Sequence, residues 1–188
     1  HAEIQYITIA STGDSKDFGD LSDAGSHRTA TSSPTRALVA GGEFPGISNR
    51  IRYVTLSTTG TNEYFGALST DKSSMISCSS STRAVFAGGE APGFINVIEY
   101  VQIATTGKSV NFGDVSSRSK RSGNGGSDCV RGLYMGGSNS SPAPGTGFND
   151  IDSFMFATQG DTVDFGDLHT TAHSFPMNGQ TGTGHGGL

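Results

Sequence analysis

One five-residue phrase occurs four times in the chain. It reads Asp17-Phe18-Gly19-Asp20-Leu21, Tyr64-Phe65-Gly66-Ala67-Leu68, Asn111-Phe112-Gly113-Asp114-Val115 and Asp164-Phe165-Gly166-Asp167-Leu168. Its Phe residues lie 47, 47 and 53 positions apart. A period of that length restricts the chain to architectures that repeat one supersecondary module, and it exceeds the roughly 20–30 residues of a β-solenoid coil.

Each repeat contains the same succession of β-type runs. Ile4-Gln5-Tyr6-Ile7-Thr8-Ile9 corresponds to Ile51–Leu56, Ile98–Ile103 and Ile151–Phe156, β-branched and aromatic runs with a period of two. Both faces carry apolar groups, and only the second position is always polar: Gln5, Arg52, Glu99, Asp152. A Thr/Ser-rich segment closed by Gly13, Gly60, Gly107 or Gly160 leads into the Phe-Gly phrase. That phrase reads as a short outer strand. Its Phe is expected to be buried between neighbouring sheets, its Gly to permit close backbone approach, and its Asp residues to cap turns. A polar stretch of small residues follows, with a strand expected near Ser73–Cys78. Last come Arg36-Ala37-Leu38-Val39-Ala40, Arg83-Ala84-Val85-Phe86-Ala87 and Arg131-Gly132-Leu133-Tyr134-Met135, each ending in a double Gly. Continuous apolar character implies burial on both faces.

The unit therefore holds four short-connected strands and no helix. The composition agrees: 28 Gly, 15% charged residues and none of the Ala/Leu/Glu/Lys excess of helical chains. An antiparallel four-stranded unit at this period, buried on both faces, is a β-propeller blade. One all-β domain over 1–188 is expected, with blades at about 22–68, 69–115, 116–168, and 169–188 paired with 1–21. Gly186-Gly187 falls near the expected double-Gly position, so pairing of N- and C-terminal strands would close a four-bladed ring and remove its open edges. Four blades is few, and the other arrangement is a larger assembly in which another chain completes the ring.

The double-Gly strand, the aromatic-bearing strand and the outer aromatic together resemble the kelch repeat over essentially the whole chain. The departure is Phe where kelch repeats usually carry Trp, which this chain lacks. The wording of the units (IEYVxIATTG, then xFGD[LV] and STRAVFAGG) is similar to kelch-like repeats in virion and tail-associated proteins of marine bacteriophages, cyanophages above all. That resemblance implies an extracellular or virion structural protein, a tail-fibre or receptor-binding module. The implied partners are other virion proteins or a host cell-surface glycan, and a homo-oligomer is compatible with the reading. An extracellular lectin or adhesion propeller outside any virus is the alternative, and a propeller hydrolase or oxidase ranks below both.

No catalytic constellation emerges, so neither enzyme activity, a cofactor nor a metal is expected. The five His residues read as loop residues, and His169 and His173 would stand too far apart on a strand to share one ion. Asp14, Asp17 and Asp20 lack the spacing and distal Glu of a calcium loop. The net charge of −5 argues against nucleic acid as main partner, and Arg118, Lys120 and Arg121 read as a solvated loop. No apolar run reaches the ~20 residues of a membrane helix. The chain starts at His1 without a Met or a signal-like segment, which points to processing or to a start inside a longer protein. Cys78 and Cys129 read either as a disulfide or as two buried thiols.

Binding is expected where the copies differ, in the loops after the double Gly on one face of the ring. Glu43, Phe44, Glu90, Phe94 and Asn139 are the candidates, the two Phe rings suiting a sugar face or a protein partner. The recurring Arg36, Arg83 and Arg131 lie at the opposite strand ends, as a basic ring or as turn-stabilising donors.

Overall fold

A computed structural model describes residues 2–43, 45–139 and 147–172. The described residues form fourteen strands and no helix. β3 (Thr29–Ser32), β4 (Arg36–Ala40), β5 (Arg50–Thr55) and β6 (Glu63–Ala67) make the first four-stranded antiparallel sheet, in sequence order. β7 (Ile76–Ser79), β8 (Arg83–Ala87), β9 (Val97–Gln102) and β10 (Val110–Asp114) make the second. β11 (Asn124–Ser127), β12 (Arg131–Met135), β13 (Phe148–Met155) and β14 (Val163–Ala172) make the third. β1 (Glu3–Tyr6) and β2 (Lys16–Asp20) form a two-stranded sheet equivalent to the outer half of the others.

The Phe of the repeated phrase is a bulged residue in all four copies. Ile51 pairs with Gly66 and Arg52 with Tyr64, so Phe65 has no partner in the ladder. The same skip falls on Phe18, Phe112 and Phe165. A bulge re-aims its side chain and frees its backbone groups. Here the freed carbonyl bonds to the next sheet: Phe18 O accepts from Gly60 N at 2.7 Å, Phe65 O from Gly107 N at 2.9 Å and Phe112 O from Gly160 N at 2.7 Å. A second bond follows two residues on, from Asn62 N to Asp20 O, Ser109 N to Ala67 O and Thr162 N to Asp114 O. The Gly after each Phe is needed for this approach. A Cβ on Gly19, Gly66 or Gly113 would collide with the carbonyl of Gly60, Gly107 or Gly160.

The cores lie between sheets. Leu38, Tyr53 and Phe65 of the first meet Met75, Ala84, Phe86, Val101 and Ile103 of the second. Val85, Ile98 and Phe112 of the second meet Tyr134, Phe154 and Phe156 of the third. Phe65 and Phe112 are each 2% exposed, as expected of the anchor. Phe165 departs from that expectation at 51% exposure, because no sheet follows it among the described residues. The Arg residues at the starts of β4 and β8 work across the same joint. Arg36 lies over the Tyr53 ring and donates to Ile103 O and Ala104 O, both at 3.0 Å; Arg83 lies over Tyr100 and donates to Phe156 O.

The polar second position of the Ile-x-Tyr strand anchors a buried ion pair. Glu99 accepts from Lys72 Nζ at 2.5 Å, and Asp152 from Lys120 Nζ at 2.6 Å, all four side chains being buried. The first sheet reverses the charges: Arg52 donates to Asp23 at 2.9 Å, and the Arg28 guanidinium lies over Gly25, which stands where the other repeats have Lys. Of the three residues expected in a solvated loop, Arg118 is exposed, whereas Lys120 is buried and Arg121 is largely covered. Arg118 pairs with Asp150, Lys120 with Asp152 and Arg121 with Glu90.

Strand β7 begins later than expected, because Ser73 bridges to Glu90 and Ser74 takes a φ of 55°. Residues 169–172 continue β14, with Ala172 paired to Phe148 in the third sheet. The rest of the segment expected to complete a fourth unit, 173–188, lies outside the described residues. Cys78 is buried, Cys129 is partly exposed, and both are free thiols.

Candidate binding face

The double glycines fix how the chain leaves each apolar strand. Gly41 and Gly42 take φ of 63° and 103°, Gly88 and Gly89 61° and 104°, Gly136 and Gly137 63° and 102°. These left-handed values favour Gly, and they let Gly42 N and Gly89 N donate to Lys72 O and Lys120 O of the following sheet. The next residue then forms two bridges at once. Glu43 bridges Ser26 and Ile47, Glu90 bridges Ser73 and Phe94, and Ser138 bridges Arg121 and Gly147.

The side chains of this face reach across the joints. Glu43 accepts from Ser73 Oγ of the next sheet at 2.7 Å, and its other oxygen lies 3.6 Å from His27 Nδ1. Glu90 receives the Arg121 guanidinium, which also lies 5.3 Å above the centre of the Phe94 ring. The carboxylate holds the cation and the cation covers one face of the ring, so the three side chains form one clamp spanning the second and third sheets. Asn139 is exposed next to Ser138, whose backbone is bonded to that of Arg121. Behind the clamp, Ser74 N donates to His27 O at 2.8 Å and Ser122 N to Ser74 O at 2.9 Å. His27, Ser74 and Ser122 all take φ of 55°, a value uncommon in residues other than Gly. The start of each inner strand is thereby tied to the next.

Of the five residues expected to bind, Glu43, Glu90 and Phe94 thus lie in joints between sheets, and Asn139 stands exposed beside one of them. Phe44 lies outside the described residues. Arg121 was missed. Its signal in sequence was the repeat register, which places it where the other copies carry Ser26 and Ser73, next to the Lys120 that matches Lys72.

Titration behaviour follows burial. Burial acts to raise the Glu99 carboxyl, but Lys72 and Ser69 outweigh it and hold the group below the usual carboxylate range. Burial pushes the Cys78 thiol up to about 12 and the Tyr134 phenol well above its ordinary value. The Tyr53 phenol is raised by its bond to Glu63. Among the described residues, no three His, Cys, Asp or Glu side chains cluster as a metal site.

No family model matches the sequence, and no curated protein matches it. Solved structures do match the fold. One, titled "Structure of YjhT", superposes with a TM-score of 0.67 at 8% identity, covering 84% of this chain and 56% of that one. YjhT is a kelch-repeat propeller protein, and the four-stranded antiparallel sheets described above match its propeller fold. The chain folds as a β-propeller. Its bulged Phe and its double Gly are the two elements that join each blade to the next, and the chain spans a little over half the length of the propeller it matches.

Proposed function

We propose that the chain is a non-catalytic recognition module of a virus particle, a propeller whose loop face takes a cell-surface glycan or a neighbouring particle protein. The observation that carries this reading is the clamp of Glu90, Arg121 and Phe94 with the exposed Asn139 beside it. Sugar recognition needs an apolar ring face for the C–H side of a pyranose, with charged or amide groups for its hydroxyls. The clamp supplies both, and its position across a blade joint holds it rigid before a ligand arrives, which lowers the entropy lost on binding. The acidic groups at this face already bind Arg, Ser or His side chains. That commitment favours a fixed scaffold over general acid–base chemistry, which needs carboxylates free to exchange protons. The viral assignment draws on the wording of the repeat units.

A glycan array with the purified chain tests the reading. Binding that falls at least tenfold with Phe94→Ala and with Asn139→Ala, while Tyr64→Ala on an exposed outer strand leaves it intact, supports the loop face. Binding untouched by both loop changes removes that face. Turnover of any bound sugar overturns the non-catalytic assignment.

A further inference from the structure

The blade joint is built in full twice, and its backbone bonds recur a third time between β2 and the first blade, where no double-Gly strand stands beside β1 among the described residues and Leu56 stays 42% exposed; the two ends of the arc are legible against this pattern. On the leading side of each full joint stand a bulged Phe, its following Gly, a Leu or Val of the double-Gly strand, and an Arg at the start of that strand. On the receiving side stand the fourth and sixth residues of the Ile-x-Tyr run and the Gly that closes the turn after it. At the joint between the first and second blades these are Phe65, Gly66, Leu38 and Arg36 against Val101, Ile103 and Gly107. At the next they are Phe112, Gly113, Val85 and Arg83 against Phe154, Phe156 and Gly160.

The third blade presents a complete leading side that nothing among the described residues receives. Phe165 is 51% exposed, and a Cβ on Gly166 would meet nothing within 4 Å, whereas at the three mated joints it would strike a carbonyl. Arg131 is exposed and lies over the Phe165 ring at 5.7 Å. A cleft of about 310 Å³ opens between Arg131, Leu133, Phe165 and the Gly126–Asp128 strand end. At the other end, β1 and its turn present a complete receiving side. Ile7 and Ile9 are 62% and 95% exposed, while their counterparts Val101, Ile103, Phe154 and Phe156 are all buried.

We infer that these two faces mate head to tail between two copies of the chain, with Phe165 of one copy against Ile7 and Ile9 of the other. The partner's Gly13 and Ser15 amides then take Phe165 O and Asp167 O, as Gly60 and Asn62 take Phe18 O and Asp20 O. Arg131 takes the carbonyls of the partner's Ile9 and Ala10, as Arg36 takes those of Ile103 and Ala104. A second copy is favoured over closure within one chain because, among the described residues, Phe165, Ile7 and Ile9 of the same molecule all stand exposed and are not packed on one another. The joint is heterologous, so it generates a ring or a growing array according to whether the rotation closes.

Sedimentation velocity on the 188-residue chain over a wide concentration range is the test, with circular dichroism to confirm folding. The wild-type chain is expected to associate as concentration rises. Phe165→Asp and Ile9→Asp are each expected to remain monomeric alone, and their equimolar mixture to give a two-chain species capped by the two altered faces. A wild-type chain that stays monomeric throughout overturns the inference and points to closure within one chain. Association that survives Ile9→Asp, or a mixture that stays monomeric, overturns the head-to-tail geometry. Ile9 is almost fully exposed, so its substitution keeps the test open if Phe165→Asp fails to fold.

Discussion

The carbonyl of Phe65 accepts a hydrogen bond at 2.9 Å from the amide of Gly107, forty-two residues later in the chain and in the next blade. It is free to do so because Phe65 is bulged out of its own ladder, and near enough because residue 66 has no side chain. Gly66→Ala is therefore expected to destabilise the protein by more than ~2 kcal/mol, since backbone cannot step aside as a side-chain tip can. Gly107→Ala, on the other side of the same bond, would add a Cβ into open space and should change stability by less than ~1 kcal/mol. Urea unfolding of both variants gives the comparison, and equal losses would show that Gly66 is not at a close approach.

The Phe anchors should separate by position. Phe65→Ala and Phe112→Ala empty sites that are buried and tightly packed, for an expected loss of about 3–5 kcal/mol each. Phe165→Ala, measured at low concentration, should lose less than ~1 kcal/mol, because its ring is half exposed. The sequence gives all four Phe the same role. Two things distinguish them: Phe165 has no following blade among the described residues, and Phe18, though followed by one, stands on a two-stranded sheet and is half-buried.

The buried pair of Lys72 and Glu99 links stability to pH. The Glu99 carboxyl is held below its ordinary value in the folded protein, so the unfolded chain binds its proton more readily. Its contribution is present above the unfolded value of about 4.3 and is lost as pH falls through the lower folded value. Wild-type stability should fall steeply on acidification below about pH 5, and Glu99→Gln should flatten that fall while lowering stability at neutral pH. Lys72→Met alone leaves a buried carboxylate unpaired, at a cost of about 3–5 kcal/mol, whereas Lys72→Met with Glu99→Leu should recover most of the loss. Chemical denaturation of the single and double variants at several pH values checks both signs.

The two cysteines should differ in reactivity. Cys78 is buried among apolar side chains with its thiol pushed up to about 12, so it is almost wholly un-ionised at neutral pH. Cys129 is partly exposed in a turn. A thiol reagent is expected to modify Cys129 in the native protein and Cys78 only on unfolding. Rapid labelling of both in native buffer would contradict the burial of the second blade joint.

The repeat made the strand order readable, because β-branched runs, closing glycines and double glycines recur in register. The joints were not readable. Nothing in Asp-Phe-Gly-Asp reports that its Phe is the bulged residue or that its carbonyl leaves its own sheet, since a bulge is a property of pairing between two strands. The ion pairs were half readable. The second position of the Ile-x-Tyr strand announced polarity, but its partner lies in a loop about thirty residues away, and the first blade carries the pair with its charges exchanged as Asp23 and Arg52. Local composition alone put Arg118, Lys120 and Arg121 in solvent, whereas alignment of Lys120 with Lys72 places that residue in the core. At the candidate face, Glu90 and Phe94 were found as variable-loop residues, and Arg121, which fixes both, came from the preceding segment.

Hydrogen exchange at the turn glycines tests the blade joint most directly. The amides of Gly60, Gly107 and Gly160 each donate across a joint, and they are expected to exchange only through opening close to global unfolding. Exchange of these three at the rate of exposed loop amides would contradict the joint. Slow exchange at all three, with fast exchange at Gly13 in the dilute chain, is the expected pattern.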